Sequence, residues 1–83
     1  MTPYDAYTQA LLNYDTALNA GRNAKAAEYR ALMEFSIAQT PDNASALALA
    51  QISTDGCQAN VDETYQAVLA ARLTYQQSLS GNQ

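Results

Sequence analysis

The sequence predicts an all-α fold of four helices, paired as two helical hairpins in an up-and-down bundle or a stack, within one domain covering residues 1–83. Three observations point there. Alanine supplies 17 of the 83 residues, so much of the 48% apolar content is a small, strong helix former. Large apolar side chains recur at alternating steps of three and four. Helix punctuation falls at Thr2-Pro3, Gly21, Thr40-Pro41, Asp55-Gly56 and Ser80-Gly81.

The first helix is expected over Pro3–Ala20. Thr2 is a good N-cap, Pro3 takes the first helical position, where a missing N–H costs nothing, and Asp5 follows three residues after the cap. Tyr4, Tyr7, Leu11, Tyr14 and Leu18 then make one apolar seam. Gly21 suits a left-handed helix end. The second helix is expected over Asn23–Gln39. Ala26, Tyr29, Met33 and Ile37 share one face and Ala31, Leu32, Phe35 and Ala38 lie broadly opposite, which predicts a helix held between two neighbours.

The third helix, Pro41–Ser53, opens on Thr40 as N-cap with Asn43 three residues on, and carries Leu47, Leu49 and Ile52 among alanines that let backbones approach. Asp55-Gly56 reads as a turn, and Cys57 as a loop thiol. The fourth helix, Val61–Leu79, starts on Asn60 with Glu63, an asparagine form of the capping box. Its seam runs Val61, Tyr65, Val68, Arg72, Tyr75 and Leu79, widened by Leu69 and Leu73. Gly81 again suits a left-handed end.

Laying residue 2 on residue 40 aligns Thr2-Pro3, Ala6, Ala10, Leu11 and Thr16 with Thr40-Pro41, Ala44, Ala48, Leu49 and Thr54. A duplicated hairpin, 2–39 and 40–79, would explain the match. The period is near that of tetratricopeptide repeats, but Asn13, Thr16, Ala17 and Ala20 stand where that family has Trp, Leu, Gly and Tyr. No family is assigned.

Composition narrows the function. With no His, no Trp and a single Cys, the chain lacks His-dependent acid–base chemistry, Cys/His zinc sites and disulfide frameworks. Its acidic residues are scattered, so no catalytic, metal or cofactor-binding residue is assigned and an enzyme is not expected. The net charge of −4 and the dilute basic segment Arg22, Lys25 and Arg30 argue against nucleic acid. No run approaches the ~20 apolar residues of a membrane span. Met1 to Gln9 carries Asp5 in place of a basic leader, so the expected setting is cytoplasmic, or within a virion.

What remains points to association. Leu, Ile, Val and Phe number 14, two Met and six Tyr bring the large apolar side chains to 22, and disulfides and metals are missing as supports. Only 12 residues are charged, a depletion typical of surfaces that meet protein. A protein partner or a homo-oligomer is therefore expected, with Tyr4, Tyr7, Tyr14, Tyr65, Tyr75 and Arg72 as the candidate contact residues. Tyrosine combines an apolar body with a polar tip, and Arg72 interrupts a seam where it must reach water, an aromatic face or a partner. The expected role is a non-enzymatic structural or assembly subunit of a larger particle. The lysine-poor, Ala/Gln/Thr-rich composition is in the style of a bacteriophage component. A small acidic inhibitor of a host system and a peptide-binding helical adaptor are the other readings, and salt separates the first of these, since charge-steered binding weakens with it.

Overall fold

Both N-caps form where the sequence places them. The Thr2 hydroxyl accepts the Asp5 N–H at 3.1 Å, and the Asp5 carboxylate accepts the Thr2 N–H at 3.4 Å, closing a capping box ahead of Pro3. The Thr40 hydroxyl accepts the Asn43 N–H at 3.1 Å ahead of Pro41. Between and beyond those starts the chain breaks once, not three times. The computed structural model describes residues 1–81 and holds two long helices, α1 (Pro3–Ile37) and α2 (Pro41–Ser80), joined by Ala38, Gln39 and Thr40. The fold is all-helical as expected, but it is one extended hairpin. The four-helix arrangement is overturned.

The connection is held by backbone capping. Asn43 donates from Nδ2 to the Ala38 carbonyl at 2.8 Å and to the Glu34 carbonyl at 3.4 Å, so the side chain that starts α2 also satisfies the end of α1. The Ala38 N–H returns to Glu34 O at 2.9 Å and the Thr40 N–H to Ala38 O at 2.9 Å. Replacing Thr40 by Val removes the cap acceptor while keeping the shape. Chemical denaturation of Thr40→Val should show a loss of about 1 kcal/mol, and an unchanged midpoint would mean that the cap contributes nothing.

The expected breaks fail for a common reason. Gly21 lies inside α1 with helical backbone, and a Cβ built there would meet Val61 Cγ2 at 3.7 Å, so the glycine sits against the facing helix. Asp55 and Gly56 lie inside α2, Asn60 and Glu63 start nothing, and Cys57 is half-buried within the same helix instead of in a loop. No glycine has positive φ among the described residues, and Gly81 ends α2 at φ −70°, ψ −11°, so neither expected left-handed end forms.

The helices meet along one continuous seam. In α1 the seam runs Tyr7, Ala10, Tyr14, Ala17, Gly21, Ala24, Glu28, Ala31 and Phe35 in alternating steps of three and four, with Pro3, Ala6 and Leu18 partly covered beside it. In α2 they run Asn43, Leu47, Ala50, Thr54, Cys57, Val61, Thr64, Val68, Ala71, Tyr75 and Ser78 in the same rhythm. This is the heptad pattern of a two-stranded antiparallel coiled coil. Every second covered site is small: Ala10, Ala17, Ala24 and Ala31 on α1, and Ala50, Cys57, Thr64, Ala71 and Ser78 on α2. Small residues let the two backbones approach, and Thr54 Oγ1 reaches the Ala24 carbonyl at 3.4 Å across the pair.

The register that superimposes the two caps lays buried Ala10 on exposed Ala48, and each half supplies a single helix.

The result is a rod of 66 × 16 × 13 Å with a radius of gyration of 18.7 Å. A globular chain of this length has about 12 Å. Among the described residues only Ala10, Ala17 and Val68 are buried. The expectation that residues 23–39 lie between two neighbours is corrected accordingly: Ala31 and Phe35 face α2, while Tyr29, Leu32, Met33 and Ile37 face outward.

Candidate functional site

The tyrosines gather at the open end of the hairpin. Tyr75 of α2 lies between two rings of α1, edge-on to Tyr4 at 5.6 Å and stacked on Tyr7 at 5.9 Å, and Tyr14 meets Tyr65 at 5.5 Å. Such pairs prefer these tilted and offset arrangements, worth about 0.5–1.5 kcal/mol each beyond area burial. The five tyrosines named from the sequence thereby fall into two groups, Tyr4, Tyr7 and Tyr75 and, two turns further along α1, Tyr14 and Tyr65. They divide by role. Tyr7, Tyr14 and Tyr75 are half-buried in the seam, whereas Tyr4 and Tyr65 are exposed beside it. Arg72 is exposed, three residues from Leu69 and seven from both Tyr65 and Leu79 on the same face of α2.

Helical geometry sorts the rest of the surface. Next to the seam on one side, α1 presents Tyr4, Leu11, Leu18, Lys25 and Leu32 at seven-residue intervals, and α2 presents Leu79, Arg72, Tyr65 and Gln58. Leu69, one turn from Tyr65, extends the same flank. On the other side the corresponding positions are Ala6, Asn13, Ala20, Ala27 and Glu34 facing Thr74, Ala67, Asn60, Ser53 and Ala46. One flank is large and apolar. The other is small and polar.

Midway along the apolar flank lies a shallow groove of about 190 Å³ lined by Leu18, Gly21, Arg22, Lys25, Thr54, Gln58 and Val61. It exists because Gly21 has no side chain to fill the seam there. Arg22 donates to Asn19 Oδ1 at 2.9 Å, and Gln58 donates to Asp62 Oδ1 at 3.1 Å, so the groove is edged by two cations on α1 and by a carboxylate on α2. In the sequence Arg22 and Lys25 read as part of a dilute basic segment, Asp55 as a turn residue and Asp62 as one of the scattered carboxylates. The unbroken seven-residue register through Gly21 is the signal that places all four on one flank.

Among the described residues no three or more His, Cys, Asp or Glu side chains come together to hold a metal ion, and no helix is long and apolar enough to cross a membrane. Comparison with protein-family models, curated proteins and solved structures finds no match to this chain. The functional reading therefore rests on the surface itself.

Fourteen of the 22 large apolar side chains are exposed, from Leu69 at 38% to Met1 at 94%. Seven lie on the apolar flank: Tyr4, Leu11, Tyr29, Leu32, Tyr65, Leu69 and Leu79. Leu12, Met33, Leu49, Ile52 and Leu73 lie on the outer edges of the two helices. Large apolar side chains grouped on one face of a monomer mark an interaction surface.

Proposed function

We propose that this chain is a non-enzymatic structural or assembly component, a helical rod whose apolar flank is covered by a protein neighbour. The observation that carries this reading is the exposure of fourteen large apolar side chains against three buried residues, two of them alanine. The chain exposes 5971 Å². A compact monomer of its 8.9 kDa exposes about 4,800 Å², and an unfolded one about 12,900 Å², so folding alone removes only roughly half of the surface. Such a hairpin gains little from its own interior and much from a neighbour.

Burial of Tyr and Leu contributes more to the contact than net charge does. The flank is built from Tyr and Leu, so association should persist in salt, whereas an acidic inhibitor steered by its net charge of −4 would lose affinity. The purified chain is expected to bind the hydrophobic dye ANS when dilute and to lose that binding as its neighbour covers the flank. A dilute chain that stays dye-free and melts sharply, with a midpoint independent of concentration, would overturn the reading.

A further inference from the structure

We propose that the neighbour on the apolar flank is a second copy of this chain, packed flank to flank with its two-fold axis along the rod. This rests on the assembly reading above. Three features of the flank select a copy and set its direction.

The first is area. The surface in excess of a compact monomer, roughly 1,100 Å² from the 5971 Å² exposed, exceeds the ~800 Å² per partner of a standard stable interface. The rod is long enough to supply it from one side.

The second is charge. On this flank α1 carries Arg22 and Lys25, with Asp15 two turns before Arg22 in the same row, and α2 carries Asp62, whose carboxylate accepts from Gln58, and Asp55, one turn from Gln58 on the same face. Within one chain these groups are level: Gly21 lies against Val61, and Ala24 against Thr54. A two-fold axis along the rod places α1 of one copy over α2 of the other at the same height. Lys25 then faces Asp55 of the second copy, Arg22 faces Asp62 of the second copy, and symmetry repeats both pairs.

The third is the apolar pattern. The same operation lays Tyr4, Leu11 and Leu18 of each copy over Leu79, Leu69 and Tyr65 of the other. Reversing the second copy would set Leu18 against Arg22, Tyr65 near Asp55 and Leu79 near Asp42, while Leu11 would lie over Tyr29. It also runs α2 against α2, which brings carboxylate toward carboxylate. Adjacent helices run antiparallel in the chosen arrangement, so their dipoles oppose. Arg72, level with Thr8 and Leu11, meets no carboxylate there and stays in water.

The test uses two full-length charge variants. One carries Arg22→Asp and Lys25→Asp, the other Asp55→Lys and Asp62→Arg. Each alone sets four like-charge contacts across the two-fold, so its self-association, read by sedimentation, should weaken about tenfold or more relative to the unchanged chain. Mixed, the two variants restore every pair, so an equimolar mixture should form a heterodimer near the original affinity. Circular dichroism of each variant checks that the hairpin persists.

Four outcomes decide the matter. Weakened single variants with a restored mixture support the proposal. An unchanged chain that dimerises, with variants that neither weaken alone nor recover together, overturns the arrangement. An unchanged chain that stays monomeric at high micromolar concentration and binds ANS overturns the second copy while leaving the assembly reading with a different protein as neighbour. A monomer that is dye-free and sharply melting ends both.

Discussion

Ala17→Leu is expected to cost about 1–3 kcal/mol and to lower the thermal midpoint by several degrees, up to ~20 °C if the full cost is realised. Ala17 is the most buried residue of the hairpin, 2% exposed, and it stands in the row of small side chains where the two backbones come closest. Three extra heavy atoms have nowhere to go there. They must either push the helices apart, uncovering Val68 and the tyrosine contacts on either side, or adopt strained rotamers. The control is Ala26→Leu, on the exposed face of α1, where leucine and alanine have similar helix propensity and little change is expected. Circular-dichroism melts of the two variants decide the point. Equal melting of both would mean that Ala17 is not at the seam.

Why this seam escaped the sequence reading follows from which residues carry it. The visible periodicity lies in the large side chains, which in the last third of the chain trace Val61, Tyr65, Val68, Arg72, Tyr75 and Leu79. The helices close instead on Val61, Thr64, Val68, Ala71, Tyr75 and Ser78. Half of the expected positions are right. At the other half a small or hydroxyl-bearing residue sits inward and the bulky one is displaced onto the flank, because close approach of two long helices favours small volume over large. The displaced residues, Tyr65, Arg72 and Leu79, are the ones that build the candidate site. Threonine fits the seam because its hydroxyl returns to its own helix, as Thr64 Oγ1 does to Asn60 O at 2.9 Å.

Local chemistry was legible where the deciding atoms lie within a few residues. Thr2 with Asp5 and Thr40 with Asn43 set both helix starts without help from the rest of the chain. Breaks are another matter. A glycine inside a helix costs about 1 kcal/mol, which a seam of nine or more covered positions can outweigh, and nothing near Gly21 or Gly56 signals that the partner helix lies alongside. The seven-residue spacing of Ala10, Ala17, Ala24 and Ala31 runs straight through Gly21, and Ala50, Cys57 and Thr64 run through Gly56. That continuity was readable. It was outweighed by treating each glycine as punctuation.

The glycines supply the second large effect, and its sign separates a hairpin from a four-helix chain. Replacing both Gly21 and Gly56 by Ala should raise stability by about 2 kcal/mol, since alanine removes unfolded-chain freedom and favours the helix by about 1 kcal/mol at each site. Space permits it. At Gly21 the new methyl makes ordinary contact with Val61 Cγ2 at 3.7 Å, and at Gly56 nothing lies within 4 Å. For a chain of this size the gain amounts to a rise of roughly 8–16 °C in the melting midpoint. If instead Gly21 ended one helix in a left-handed conformation and Asp55-Gly56 formed a turn, the same pair of methyl groups would strain both bends and lower the midpoint. The substitution at Gly21 also fills the notch from which the groove beside Arg22 and Lys25 is formed. A stabilised double variant that keeps its self-association would place the contact on the Tyr/Leu and charged positions of the flank, and a stabilised variant that loses it would place Gly21 itself within the interface.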